Sequence, residues 1–261
     1  MRTLLFLIIS CQLFAQKNSL PEVTHIYPTV DSLPVNLTRF YIKFSRPMQE
    51  MGILNHIKLT NKEGENITGV FYENQYELWD INRTKVTLII DPGRVKTGLS
   101  ANRLMGRAFV EGEEYTLTVD SLLLDFNDQQ LARSFSKTFV AVKEDRTPPR
   151  VELWHYNVPK SKSKQKLVID FNDKIDHISA QTLIRITYKG KTVEGEILLK
   201  NQEQQSVFEP KKQWKKGTYK IEVSPSLEDI ATNSMNQVFD HKVGDLKNTN
   251  RQNSIINFTI K

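Results

Sequence analysis

Cysteine occurs once in this sequence, at Cys11, inside an apolar leader. If that leader is removed the remaining chain has no thiol, which excludes disulfides, thiolate catalysis and cysteine-ligated zinc. The histidines, His25, His56, His155, His177 and His241, lie far apart, and no two have the spacing of metal ligands on one helix. There is no Gly-x-Ser-x-Gly elbow and no glycine-rich phosphate loop. After the leader no apolar run is long enough to span a bilayer as a helix. Carboxylates are plentiful, so a hydrolase with two of them facing one cleft stays open as the least favoured class. The other absences weigh against catalysis.

The chain has 261 residues, 39% hydrophobic and 25% charged, a balance that suits a globular protein rather than a disordered one. A formal charge of +6 implies weak attraction to anionic surfaces and is too mild to name a partner. The leader itself, MRTLLFLIISCQLFA, sets Arg2 before an apolar run from Leu4 to Ile9 and ends on Ala15. That is the layout of a secretory signal peptide over residues 1–15, cut between Ala15 and Gln16. The expectation is an exported protein, in the periplasm, at the cell surface or secreted. Ile8-Ile9-Ser10-Cys11 loosely fits a lipoprotein signal, but the apolar stretch before Cys11 is short and Leu13-Phe14 follows it, so lipidation is disfavoured.

An internal repeat organises the rest. Phe40-Tyr-Ile-Lys-Phe44 answers Leu167-Val-Ile-Asp-Phe171, each with apolar residues at alternate places. Thirteen residues after each final Phe stands a second short strand, Ile57-Lys-Leu59 or Ile184-Arg-Ile186. Glu114-Tyr-Thr-Leu-Thr-Val119 matches Thr218-Tyr-Lys-Ile-Glu-Val223, again with the period of two that a half-buried strand requires. Ten residues beyond Tyr115 and Tyr219 come Asp125 and Asp229, and six further come Leu131 and Met235. Asp145-Arg-Thr-Pro-Pro149 is the boundary, since two prolines enforce an extended connector. Many short strands joined by turn residues predict an all-β protein of two tandem immunoglobulin-like β-sandwiches, over 20–144 and 148–261. Phe44 to Tyr115 spans 71 residues and Phe171 to Tyr219 spans 48, which leaves 23 extra residues in the first domain, within about 71–108.

The pattern resembles the SbsA-type bacterial Ig-like domain, in two copies. The resemblance rests on Phe44-Ser-Arg-Pro-Met48 at the end of an early strand, on the Gly-x-x-Tyr strand starts and on the turn Leu227-Glu-Asp-Ile-Ala-Thr-Asn-Ser-Met235. Thr232 stands where that family usually has Gly, and Asp125-Phe-Asn-Asp128 keeps part of the turn. The resemblance implies an extracytoplasmic structural, spacer or adhesive module without catalysis of its own. Asp31-Ser-Leu33 and Asp120-Ser-Leu122 resemble the Asp-Ser-aliphatic O-glycosylation acceptors of some Bacteroidetes-type bacteria.

Three constellations are candidate sites. Asp80, Arg83, Asp91, Arg94 and Lys96 surround the strand Val86-Thr-Leu-Ile-Ile90 and are expected to pair as a brace for the insertion, with ligand binding second. Trp79, Trp154 and Trp214 are candidate platforms for glycan stacking, Trp214 lying in the basic run Lys211-Lys-Gln-Trp-Lys-Lys216. A second basic run alternates Lys160, Lys162, Lys164 and Lys166 with Ser and Gln, and solvation of a loop is its simpler role. Asp170, Asn172, Asp173 and Asp176 offer oxygens at a strand end, as do Asp125 and Asp128; turn chemistry is the first reading and Ca²⁺ the second. The functional expectation is a non-catalytic protein-binding, structural or adhesive module of the cell envelope, alternatively a carbohydrate-binding module. Its partner would be an envelope protein or a cell-surface glycan, not nucleic acid.

Overall fold

A computed structural model describes residues 19–50, 52–241 and 252–261. The leader, with Cys11 and the cut after Ala15, lies outside the described residues. In chain order the first half holds β1 (Val23–Tyr27), β2 (Ser32–Pro34), β3 (Arg39–Phe44), β4 (Ile57–Asn61), β5 (Leu78–Trp79), β6 (Lys85–Ile89), helices α1 (Pro92–Val95) and α2 (Ser100–Met105), then β7 (Glu114–Val119) and β8 (Phe135–Val142). The second half holds β9 (His155–Tyr156), β10 (Leu167–Asp170), helix α3 (His177–Leu183), β11 (Ile184–Tyr188), β12 (Lys191–Thr192), β13 (Gly195–Lys200), β14 (Gln205–Pro210), β15 (Gly217–Val223) and β16 (Ser254–Ile260).

Each half is two facing sheets. The first sandwich sets β1-β3-β6-β5 against β2-β8-β7-β4, and the second sets β9-β10-β14-β13 against β16-β15-β11-β12. The order is shared by the whole of the first sheet and by β8-β7-β4 and β16-β15-β11 of the second, where the fourth strand joins at opposite edges, β2 beside β8 and β12 beside β11, so the repeat read from spacing is a repeat in space for the core strands. Pairings are antiparallel except that β2 joins β8 in parallel. The period-two pattern explains the layers: Phe40, Ile42 and Phe44 of β3 point into the first core, as do Val86 and Leu88 of β6, while Leu167 and Ile169 of β10 point into the second.

The Asp turns repeat in detail. Asp125 N donates to Gln129 O and Asp128 N to Asp125 O, and likewise Asp229 N donates to Asn233 O and Thr232 N to Asp229 O. The residue three places after each Asp is left-handed, Asp128 at φ 58° and Thr232 at φ 64°. That is why the related pattern prefers Gly there, and why Thr232 is a strained substitute.

Two corrections belong to this level. Trp154 and Trp214 are core residues, 5% and 2% exposed, with no free face for a sugar. Trp214 packs edge-on against Tyr219 and Phe258 and its Nε1 donates to Gln165 O at 2.7 Å, while Trp154 lies 4.7 Å from Phe171. Lysines beside Trp214 solvate the loop, and Lys166 and Lys212 pair with Glu209 and Glu194. The second correction concerns helix: α1, α2 and α3 are short pieces that an all-strand reading left out.

Because Trp214 fills the second core, Trp214→Ala should lower unfolding free energy by about 3–5 kcal/mol in urea denaturation. A surface aromatic would cost less than about 0.5 kcal/mol.

Candidate functional site

The charge cluster around β6 is engaged piece by piece with backbone. Asp80 closes the β5–β6 turn, its carboxylate accepting from Thr84 N at 2.7 Å and Lys85 N at 3.0 Å. Asp91 caps α1 by accepting from Gly93 N at 2.7 Å. Arg83 is left-handed, donates to Glu50 at 2.8 Å and covers the ring of Phe126. Arg94 is buried and forks onto carbonyls, Nε to Gly106 O at 2.8 Å, Nη1 to Gly69 O at 3.1 Å and Nη2 to Arg107 O at 3.0 Å. The expected Asp–Arg pairing across the turn is therefore not formed. Each carboxylate is instead taken up by N–H groups of its own turn, two for Asp80 and one for Asp91, and the Arg94 guanidinium fork is spent on those three carbonyls. Arg94 still ties the insertion together, and Lys96 lies 4.4 Å over the ring of Phe239 from the second half.

That contact opens onto a seam between the sandwiches. Thr97 donates through its N–H and hydroxyl to Asp240, which also receives Arg146 at 2.7 Å. Arg146 and Arg107 both pair with Glu144, at 3.1 Å and 2.6 Å. The second-half turn inserts Ile230 into the first core, where it is 3% exposed. Around it Arg39 pairs with Glu228 at 2.5 Å, the hydroxyls of Thr38 and Thr232 bond, and Asn36 and Asn233 both donate to Asp145 O. On the outer face of β3, Tyr41 donates to Asp176 at 2.8 Å. Glu203, 2% exposed, accepts from Thr29 N at 2.7 Å, Thr29 Oγ1 at 2.9 Å and Val30 N at 3.2 Å. Lys137 donates to the carbonyls of the same two residues. Asn201, Gln202 and Glu203 are all left-handed, at φ 49°, 54° and 64°, a cost of about 1–3 kcal/mol each that delivers Glu203 into the seam.

The oxygen cluster read as a calcium candidate is dispersed among these tasks. Asp176 caps α3 by accepting from Ile178 N and Ser179 N, Asp173 accepts from Lys174 N, and Asp170 accepts from Gln205. Asn172 holds a left-handed turn at φ 58°. Among the described residues no group of three or more His, Cys, Asp or Glu is arranged to hold a metal ion. No described helix is long and apolar enough to cross a membrane, which says nothing of a β-barrel.

Burial sets the electrostatics. It pushes the Tyr41 phenol up, helped by Asp176, and pushes His177 down to about 4, helped by Lys85, Lys43 and His25. The two Asp turns diverge. Burial works against charge on Asp125, but N–H bonds from Gln129 and Asn127 and the Arg46 guanidinium hold it below the usual range. By the repeat, Arg46 corresponds to Asp173, so the second turn has a carboxylate where the first has a cation. Burial raises Asp229 to about 8 against the Asn233 bonds, with Asp145 and Asp173 adding, and burial raises Asp173 to about 6.

Glu203, Arg39, Tyr41 and Ile230 were not singled out from sequence. An isoleucine inside an Asp turn was the one available signal, since an exposed turn has no use for it. Trp79 is half-buried and its Nε1 donates to Glu77 at 2.7 Å, so it is a strut more than a platform.

No family model matches the chain, and no curated protein matches it in sequence. Among solved structures it is similar to native alpha-2-macroglobulin from Escherichia coli spanning domains MG0-NIE-MG1, at 9% identity over 93% of this chain and 72% of that one, TM-score 0.30. It covers 14% of the chain in the native conformation of E. coli alpha-2-macroglobulin. It is also similar to Rst D1-D2, at 7% identity over 93% of this chain and 99% of that one, TM-score 0.25. Likenesses this distant carry no argument about the site; the tandem Ig-like architecture rests on the strand order itself.

Two predictions follow from the seam. Glu203→Ala strands two N–H groups and the Thr29 hydroxyl, and should cost about 3 kcal/mol and split one melting transition into two by calorimetry. The pH effect has a defined sign. His177, lowered from 6.5 to about 4, contributes stability above pH 6.5 that is lost as pH falls towards 4. Asp173 and Asp229, raised from 3.8, contribute stability present at low pH and lost as pH rises through about 6 for Asp173 and about 8 for Asp229. Between pH 6.5 and 8 the Asp229 loss dominates, at about 1–2 kcal/mol. Asp173→Arg, which restores the cation of the first turn, should flatten that slope in urea titrations at the two pH values.

Proposed function

We propose that this chain is an exported, non-catalytic module of the cell envelope that binds a protein partner through α2. The observation that carries this reading is the exposure of Leu104 and Met105, 85% and 54%, side by side at the end of α2, with Leu99 exposed just before it. Water contact on adjacent large apolar side chains is unfavourable, and covering them gains about 1.5–3 kcal/mol for each. The platform beneath is stiff: α1 is tied by Arg94, and the next turn is tied to the second sandwich through Thr97 and Asp240. A rigid platform loses little entropy on binding. The leader supports export, and the resemblance to SbsA-type domains supports a structural or adhesive setting.

The test is crosslinking capture of tagged protein from intact cells of its own host, with mass spectrometry, alongside Leu104→Glu. Recovery of one envelope protein in comparable amount with the parent chain, and its loss with Leu104→Glu at unchanged melting temperature, is the expected result. Recovery of the bait alone in both would overturn this function.

A further inference from the structure

A second surface of the insertion has different chemistry. Phe71 and Tyr72 lie beside β6, with Tyr72 N donating to Ile89 O at 2.8 Å, and Leu78 and Trp79 of β5 pair with Thr87 and Val86. Residues 73–77 between these two anchors stand opposite Leu88 alone, so they leave the sheet as an arch. Beneath it is a cavity of about 300 Å³, walled by Asn55, Tyr72, Asn74 and Tyr76 and floored by Leu88. That volume is at the small end of ligand pockets, about 300–1,000 Å³.

The arch is held at its base. Glu77 accepts from Ile53 N at 2.6 Å and from Trp79 Nε1 at 2.7 Å, and the Trp79 ring lies 5.7 Å from Phe44 in the core. Its upper part is unoccupied by such duties. Tyr72 and Tyr76 are 50% and 72% exposed, and the side chains of Tyr72, Glu73, Asn74, Tyr76 and Asn55 make no hydrogen bond among the described residues. No lysine or arginine lines the cavity, whereas Glu73 and Glu77 do.

We propose that this arch is a binding site for a neutral sugar, with Tyr72 and Tyr76 as ring faces and Glu73, Asn74 and Asn55 as partners for hydroxyl groups. A pyranose presents C–H groups on its faces and hydroxyls at its rim. Exposed phenol rings match the faces, and free amides and a carboxylate match the rim. Two carboxylates without a cation repel uronates, sulfated sugars and phosphates. This site is independent of the α2 surface and of the partner bound there.

The test prints neutral oligosaccharides of glucan, mannan and chitin type beside heparin and hyaluronate, and probes them with the full chain, Tyr76→Ala, Tyr72→Ala and Leu104→Glu. Titration calorimetry follows with the best neutral oligomer. The expected result is binding to a neutral class, weakened about tenfold or more by each tyrosine variant and unchanged by Leu104→Glu. Both tyrosines are exposed, so unchanged melting temperatures separate loss of binding from loss of fold. Binding to the acidic glycans only, binding indifferent to both tyrosine variants, or no binding to any neutral oligomer would each overturn the proposal.

Discussion

Everything about the relation of the two sandwiches turns on charged groups that are buried where they meet. Glu203 is almost wholly shielded from water, and a carboxylate in that position is tolerable only if its oxygens are filled by donors. The donors come from the other sandwich, two backbone N–H groups and the Thr29 hydroxyl. Lys137 supplies the complementary task by taking the carbonyls of the same residues. Separating the halves would leave that carboxylate without its donors until water reached it, while Lys137 would keep its own bonds within the first sandwich. The seam is therefore directional: a buried apolar contact could slide, but these hydrogen bonds are satisfied in one register only. The three left-handed residues at the β13–β14 turn are consistent with this, because such strain persists only where the surroundings over-determine it.

The duplication makes the seam intelligible. The two copies share the order of their core strands and the same turn after β7 and β15, and the turns serve opposite ends. In the first copy Arg46 neutralises the buried Asp125, and Phe126 stays half exposed under Arg83. In the second, Ile230 occupies the place of Phe126 and is sunk into the neighbouring core. The second copy has Asp173 where Arg46 stands in the first, so no cation comes from that position. Its absence leaves Asp229 with the bonds from Asn233 and no cation to oppose burial, which is what raises its proton affinity, with Asp145 and Asp173 adding. The 23 additional residues of the first copy provide the rest of the socket through Lys96 and Thr97. The second copy has no such insertion.

The strands, the repeat and the insertion could be read from sequence because each leaves a one-dimensional trace. A half-buried strand alternates, a duplication repeats its spacings, and an insertion upsets one of them. Helices of four, six and seven residues leave no such trace, since they complete too few turns to show a period. The seam failed to show for a related reason. Tyr41 sits on the outward face of β3, where alternation predicts solvent, and a single sequence does not say which outward face another domain covers. Asp170 to Asp176 illustrates a chemical ambiguity: an oxygen that can cap N–H groups can equally bind a hard cation, and only placement decides. Trp214 was ambiguous in the same way, being flanked by lysines that belong to a loop while its ring belongs to the core.

The stiffness of the seam bears on how the remaining surfaces can work. The exposed end of α2 and the arch over Leu88 both belong to the insertion, yet they face different chemistry: one is bare aliphatic surface, the other rings and unpaired polar groups. Arg94 separates them, since its carbonyl bonds reach Gly69 on the arch side and Gly106 and Arg107 on the α2 side. A shared guanidinium that fixes both segments leaves little room for one surface to move without the other. Neither surface would have to be assembled from a mobile loop on binding, so ordering costs are already met in the folded chain. The insertion is thus at once the clamp on the second sandwich and the part of the first that faces outward with groups the fold itself does not need.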